Sequence, residues 1–251
     1  MERDVYEIFY HVERTHWWFT ARRRIILNLL KRYLPLRQGI SGRTTVCDLG
    51  TGCGYNLKIF GEFYNAVGMD FSLEAARFAS KRDTRVILGR LPDEVPFADS
   101  SFDVVLLLDV LEHIEDDVAS LRAAARLVRP GGLVLCTVPA YQWLWDQNDD
   151  YFHHYRRYTL GQMRTLAESA GLTLLLASYY NAFLFPPAVA IHLWRKFIRS
   201  PERPPGLCLL PKPLNQVFSA ILGSERFILP YVRFPFGGGI VCVAKRANAV
   251  C

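Results

Sequence analysis

The hydrophobic pattern of this chain changes period along its length, and the two periods predict alternating strands and helices. Runs such as Val104 to Leu108 are apolar on both strand faces, which is typical of a parallel sheet covered by helices on both sides. The alternation predicts an α/β fold with a doubly wound sheet that binds its ligand at the carboxyl ends of the strands. The predicted strands are 44–49, 66–70, 85–89, 103–109, 132–138, 172–178 and 240–245. The predicted helices are 55–63, 73–82, 116–128, 159–170 and 213–223.

Three segments stand outside this alternation. Residues 1–43 predict a helical cap, with two helices in 4–34, ahead of a main domain at 44–251. Within that domain, 140–158 is rich in aromatic and charged residues, and 183–235 forms an apolar and basic helical insertion. The insertion begins with an apolar stretch, 183–198, which holds a Pro-Pro pair and predicts an interrupted helix rather than a membrane span. Residues 200–213 are proline-rich and predict a linker.

The most informative pattern follows the first strand. Gly50, Gly52 and Gly54 come every second residue between this strand and a helix, with Asp48 at the strand's end. Glycines at such a turn let a ligand lie against the backbone, next to the positive end of a helix. A second strand ends in Asp70 about 20 residues on, where a carboxylate can accept both hydroxyls of a ribose.

These residues resemble the first two motifs of the class I S-adenosylmethionine-dependent methyltransferases, D/E-x-G-x-G-x-G and a second-strand acid. The resemblance extends over residues 44–139 in the family's order, through 91–105, then 109–114, then 127–133. It implies a Rossmann-like, mostly parallel seven-stranded sheet, with the last strand antiparallel at the far edge. The cofactor that it implies is S-adenosyl-L-methionine.

The resemblance also assigns residues to parts of this cofactor. The three glycines approach the methionine part and ribose, Asp48 lies near the amino group, and Asp70 takes the ribose hydroxyls. Other implied cofactor residues are Met69 and Phe71 beside adenine, Arg90 and Leu91 after the third strand, and Asp109 and Val110 beneath the cofactor. Arg90 stands where the family often has an acid for adenine's amine, so a backbone carbonyl is the substitute at that position.

The His16–Arg24 stretch is similar to the N-terminal piece of a bacterial methyltransferase group whose first helices cover the cofactor. On that reading Trp18 helps wall the site and Arg23 pairs with the methionine carboxylate. The alternative is a helix docked on the sheet with a basic outer face.

Methyl transfer from a sulfonium is an in-line displacement, so alignment and exclusion of water matter more than a shared catalytic group. A base is needed only where the acceptor must lose a proton. The candidates are His113, His153, His154 and Tyr141, although His113 could equally be a packed wall of the cofactor site. Segment 140–158 is the predicted acceptor lid. Adjacent histidines rarely bind one ion together, so no metal is expected there.

Charge is unevenly distributed. The chain has a net charge of +6, with −6 in residues 44–182, +5 in 1–43 and +7 in 183–251. Basic flanks suit an anionic substrate, a lipid headgroup surface or nucleic acid, and the alternative is a solvated surface. We expect peripheral membrane contact through 183–199. The N-terminus shows no signal-peptide pattern, so the expected location is cytoplasmic, with contact at the inner membrane surface. The six cysteines form no C-x-x-C pair and predict packed, reduced thiols.

The function predicted first is methyl transfer to a small-molecule acceptor of carbohydrate, polyketide-like or isoprenoid-linked type, with oxygen as the favoured accepting atom. The alternative is a catalytically inactive, cofactor-binding regulatory or partner protein. The glycine spacing disfavours a nicotinamide oxidoreductase. The chain shows no N/D-P-P-Y-type motif after the fourth strand, so a nucleic-acid partner is not expected. The sequence leaves the oligomeric state open.

Overall fold

A computed structural model describes residues 3–34, 43–198 and 209–247, and its centre is one seven-stranded sheet. The strand order is β3-β2-β1-β4-β5-β7-β6. Strands β1 to β5 are parallel, and β7 is antiparallel to both β5 and β6. The predicted doubly wound sheet is therefore confirmed. The strands are β1 (Thr45–Leu49), β2 (Asn65–Asp70), β3 (Val86–Leu88), β4 (Phe102–Leu108), β5 (Val128–Pro139), β6 (Leu172–Tyr180) and β7 (Gly239–Arg246).

The last strand departs from the prediction in its place. It is antiparallel, as expected, but it lies between β5 and β6, so β6 is the edge strand. The burial pattern gives the physical reason. The first six residues of β7 are all buried, which suits an interior strand, whereas several residues of β6 are exposed or half-buried.

Nine helices surround the sheet in the described ranges. They are α1 (Arg3–Val12), α2 (Trp17–Tyr33), α3 (Tyr55–Phe63), α4 (Leu73–Ser80), α5 (Asp117–Leu127), α6 (Gln147–Tyr151), α7 (Leu160–Ser169), α8 (Phe185–Phe197) and α9 (Lys212–Ser224). Side-chain caps begin three of the predicted ones, because Ser72, Asp116 and Thr159 each accept a backbone N–H from the first turn. The short helix α6 was not predicted, and it begins with a capping box at Asp146.

The prediction of an interrupted helix over 183–198 is wrong. Pro186 and Pro187 lie in the first turn of α8, where a missing backbone N–H costs no helical hydrogen bond. The helix therefore runs unbroken to Phe197. Most of the predicted linker, 200–208, falls outside the described residues. No helix within the described ranges combines the length and apolar character needed to cross a bilayer.

Two apolar layers cover the faces of the sheet. One packs α5 and α7 against β4 and β5, and the other packs α2 and α9 against the opposite face. Helix α2 contributes five fully buried apolar residues to the second layer, so it belongs to the packing of the sheet: Ala21, Ile25, Ile26, Leu29 and Leu30. The described cysteines are free and buried, as predicted: Cys47, Cys53, Cys136 and Cys242. Cys208 and Cys251 lie outside the described residues.

Candidate functional site

The glycine turn lies between the carboxyl end of β1 and the start of α3. Gly50, Gly52 and Gly54 have φ values of 72°, 57° and 82°, a region that L-residues with side chains rarely adopt. A Cβ atom on Gly50 would lie 2.6 Å from a methyl group of Val110. The backbone N–H of Gly50 donates to the carbonyl oxygen of Met69, which ties the turn to β2. The turn thus needs glycine both for its conformation and for its contact with the neighbouring segment.

Asp70 fixes this turn from the end of β2. Its Oδ2 accepts the N–H of Gly52 at 2.8 Å, and its Oδ1 accepts the N–H of Ser72 at 2.9 Å. Burial raises the pKa of the Asp70 carboxyl, and the two backbone N–H donors oppose that rise. Each oxygen keeps acceptor capacity beyond its one backbone bond, and the side chain lines the cleft described next.

A cleft of about 400 Å³ opens at the carboxyl ends of the parallel strands. Its volume falls in the range of small-molecule sites. Nine of the thirteen predicted cofactor residues line it: Gly50, Gly52, Met69, Asp70, Phe71, Arg90, Leu91, Asp109 and Val110. Further lining residues come from α1 and from the segments around 114 and 152: Tyr6, Ile114, Glu115, Phe152 and Tyr155. Tyr6 carries no motif, so its role in the wall was not visible in the sequence.

One end of the cleft offers an exposed aromatic face. Phe71 is 59% exposed, and the guanidinium of Arg90 lies 5.4 Å from the centre of its ring. Gly89 precedes Arg90 with little room for a side chain, because a Cβ there would lie 2.7 Å from the carbonyl oxygen of Glu94. This end is a flat, open surface on which a planar base can stack.

The floor of the cleft holds buried charge. Asp48 Oδ2 accepts from Thr51 at 2.9 Å, and Asp48 Oδ1 has no hydrogen-bond partner among the described residues. Burial raises the pKa of the Asp48 carboxyl to about 7. Asp109 forms an ion pair with Arg22 and accepts from the Thr137 hydroxyl at 2.9 Å. The unpartnered Asp48 oxygen is a ready acceptor for a cationic group of a ligand.

Four predicted cofactor residues do not line the cleft. Asp48 lies beneath it, and Gly54 begins α3 as the N-cap. Trp18 packs on Tyr180 with ring centroids 5.6 Å apart. Arg23 donates from Nε to Asn56 and from Nη2 to the Glu13 carbonyl oxygen, both at 2.9 Å. The arginine that reaches the cleft floor from α2 is its neighbour, Arg22.

The opposite end of the cleft holds two of the four candidate bases, and His154 and Tyr141 do not line it. His113 and His153 both line it, and His153 has a φ of 57°. Burial lowers the pKa of His113 to about 4, with the neighbouring His154 as a further cause, so its ring is neutral near pH 7. A neutral imidazole can accept a proton. Tyr141 instead stacks on Tyr179 at 4.9 Å and does not line the cleft.

A buried carboxylate organises the segment that carries His154. Asp149 is fully buried and accepts from Arg157 Nε and Nη2 at 2.8 Å each. His154 Nδ1 lies 2.8 Å from Asp149 Oδ1. Burial would raise the pKa of Asp149, but the hydrogen bonds of His154 and Arg157 lower it to about 2. Nearby, burial raises the pKa of Glu112 to about 8.

Comparison with known proteins places this chain in a wider group. A family model described as a methyltransferase domain matches residues 18–177. A protein of Mycolicibacterium smegmatis named "Probable S-adenosylmethionine-dependent methyltransferase" is 29% identical over 161 residues, which cover 62% of this chain and 59% of that protein. Demethylmenaquinone methyltransferase of Tropheryma whipplei is 33% identical over 103 residues, which cover 39% of this chain and 43% of that protein. The chain spans about half the length of the curated relatives it matches.

Solved structures show the same fold. A chain of the complex between the Haloferax volcanii Trm112 methyltransferase activator and its methyltransferase superposes with a TM-score of 0.61. The sequence identity is 20%, and the match covers 99% of each chain.

Proposed function

This chain belongs to the methyltransferase-domain family of S-adenosylmethionine-dependent enzymes, and from that premise we propose that it transfers the cofactor's sulfonium methyl group to a small-molecule acceptor. The supporting observation is the layout of a single cleft. The glycine turn and Asp70 stand at one end, and the side chains of His113, Phe152 and Tyr155 stand at the other. A donor and an acceptor can therefore meet in one cleft, as an in-line displacement requires.

The donor's orientation in this proposal follows from the charges of the cleft. Asp70 takes the ribose hydroxyls with its remaining acceptor capacity, and Phe71 stacks on the adenine. The free oxygen of Asp48 takes the ammonium group of the methionine part. With both ends fixed, the methyl group points toward Val110 and His113, and Phe152, His153 and Tyr155 line the cleft beside them.

The proposed acceptor is carbohydrate, polyketide-like or isoprenoid-linked, and oxygen is the favoured atom. Ile114, Phe152 and Tyr155 give this end of the cleft apolar and aromatic walls, while His113 and His153 offer proton acceptors for a hydroxyl. In the reaction the acceptor oxygen forms a bond to carbon while the carbon–sulfur bond breaks and its electron pair stays on sulfur.

We also propose that the protein is cytoplasmic and meets the inner membrane surface through 183–199. Helix α8 has no buried residue in the described range, and Trp194 and Phe197 are 63% and 83% exposed. Arg195 and Lys196 lie in its last turn. Exposed aromatic and apolar side chains next to basic ones suit an anionic lipid surface. An acceptor with an isoprenoid tail would be found at that surface.

The experiment that tests the methyltransferase proposal has two stages. Calorimetry with S-adenosylmethionine and with NAD first measures binding, and a screen of hydroxyl-bearing acceptors then measures formation of S-adenosylhomocysteine and methylated product. We expect selective binding of S-adenosylmethionine and turnover with at least one acceptor class. Binding without turnover across the screen would instead support the alternative, a cofactor-binding partner protein. Selective binding of NAD would contradict both.

A further inference from the structure

Three ligating side chains meet at the acceptor end of the cleft. Glu112 and His113 lie in the short helical turn after β4, and His154 follows α6 about forty residues later. Their ligand atoms all lie within 4.8 Å of one another. We propose that Glu112, His113 and His154 form a binding site for one divalent transition-metal ion, with Zn²⁺ as the ion that the ligands fit best.

The ring of His154 is already oriented for this role. Its Nδ1 lies 2.8 Å from Asp149 Oδ1, so Nε2 is the nitrogen left for a metal. Arg157 holds Asp149 in turn through two hydrogen bonds of 2.8 Å. A carboxylate behind a ligating histidine fixes the tautomer and the ring direction, as in known zinc sites. The His113 and His154 rings are perpendicular neighbours, with centroids 4.6 Å apart.

The third side chain is a buried carboxylate with an unused oxygen. Glu112 is 1% exposed, and its Oε2 has no hydrogen-bond partner among the described residues. A buried carboxylate is costly unless it is paired or coordinates a metal. The two nearby guanidinium groups do not meet this need, because Arg22 is paired with Asp109 and Arg157 with Asp149.

Two imidazole nitrogens and one carboxylate oxygen are the ligand set of catalytic zinc sites that keep a fourth position open. His113 is the member of the three that lines the cleft, so an acceptor would reach an open position from the His113 side. In this role His113 is a metal ligand and no longer a proton acceptor. A hydroxyl bound there loses its proton to solvent water more readily, because the metal lowers its pKa. Its oxygen then attacks the methyl carbon, and the electron pair of the broken carbon–sulfur bond goes to sulfur. This step rests on the proposed function, whereas the metal site itself does not.

The test uses the full chain stripped of metal with a chelator. Zn²⁺ is titrated by calorimetry, and Co²⁺ serves as a spectroscopic probe of coordination. We expect one ion per chain, and we expect Glu112→Gln and His154→Gln each to weaken Zn²⁺ binding at least tenfold. The matched control is His11→Gln, since His11 is an exposed histidine on α1 outside the cluster. It should bind Zn²⁺ like the unaltered chain.

The proposal is overturned if no saturable binding of one ion is found, or if His11→Gln weakens binding as much as the cluster variants. Circular dichroism checks that each variant folds, and His113→Gln replaces any cluster variant that does not. S-adenosylmethionine binding is measured in parallel with chelator present. Retained cofactor binding with no Zn²⁺ site would refute this inference and leave the methyltransferase proposal standing.

Discussion

At the residue scale, Asp70 has a structural task and, in the proposed function, a binding task as well. Its two oxygens hold the backbone at Gly52 and Ser72, and the same carboxylate lines the cleft. The glycines have no side chains that could fix the turn. The Asp70 carboxylate fixes it instead, by accepting the backbone N–H of Gly52. One substitution at this position therefore affects both the turn and the ligand.

Asp70→Ala should weaken S-adenosylmethionine binding at least about 100-fold, because it removes two charge-assisted hydrogen bonds to ribose that are each worth about 1.5–3 kcal/mol. Calorimetric titration measures the change. Glu62→Ala is the control, since Glu62 is exposed on α3 and should leave affinity unaltered. Undiminished affinity in Asp70→Ala would show that the nucleoside lies elsewhere.

Asp48 makes cofactor binding depend on pH. In the free protein the pKa of Asp48 is raised to about 7, so near pH 7 the carboxyl is about half protonated. The positive ammonium group of the cofactor favours the carboxylate form. Affinity should therefore rise between pH 6 and 8, and binding at pH 7 should release up to about half a proton.

The proton release is measured from the binding heats in two buffers of different ionisation enthalpy. Asp48→Asn, which cannot ionise, should bind more weakly and lose this release. If affinity falls with rising pH over that range, or if the Asn variant releases the same fraction of a proton, Asp48 does not meet the ammonium group.

At the element scale, the start of α3 is fixed by a glycine in the left-handed region. Gly54 is the N-cap of this helix with a φ of 82°, and a Cβ there would lie 2.8 Å from the Cβ of Ala79 on α4. Because the turn lies so close to α4, the first residue of α3 is fixed in position. The backbone of the glycine turn, which is the proposed ligand contact, is fixed with it. Gly171, after α7, has a similar φ of 71° but open space around it.

These two glycines make a matched pair. Gly171→Ala should lower the free energy of unfolding by about 1 kcal/mol, from backbone strain alone. Gly54→Ala should lower it by about 2–4 kcal/mol, because overlap with Ala79 adds to the same strain. Urea denaturation followed by circular dichroism measures both values. Equal losses would mean that the contact with α4 relaxes at little cost.

At the scale of the whole molecule, charge and exposed apolar surface are concentrated in the same part of the chain. Residues 183–251 carry a net charge of +7, and they include the unburied helix α8. Strands β1 to β6 and most residues that line the cleft lie in the acidic part, 44–182. This asymmetry gives the molecule one face suited to an anionic surface.

The protein should float with vesicles that contain anionic lipid and should bind less to them in 0.5 M salt, because screening weakens surface electrostatics. The double variant Trp194→Ser/Phe197→Ser should reduce the vesicle-bound fraction at least tenfold. Each of these side chains contributes about 1.5–3 kcal/mol to binding when the lipid buries it fully, and the variant removes both.

The control changes two exposed apolar side chains in the acidic part, Phe63 and Leu73, which are 47% and 51% exposed. Phe63→Ser/Leu73→Ser should float like the unaltered chain. If the protein binds neither neutral nor anionic vesicles, the proposal of membrane contact is contradicted.

The sequence by itself determined the features that depend on neighbouring residues. Strand and helix periods, the glycine turn and the cap at Thr159 are local, because each depends on residues within a few positions of one another. Family motifs added the sheet's parallel order and nine of the residues that line the cleft. These parts were predictable because period, backbone conformation and spacing are written directly in the chain.

Only the tertiary structure decided which distant residues meet. In the folded molecule β7 lies between β5 and β6. Asp109 pairs with Arg22 and not with the neighbouring Arg23. His154 lies close to Glu112 and His113. It also left α8 without a buried face. Such pairings depend on how helices and segments far apart in the chain pack over the sheet, and a one-residue rotation of α2 exchanges which arginine faces the cleft. The local sequence pattern does not specify that packing. The contacts among distant side chains at the site are therefore visible only in the folded molecule.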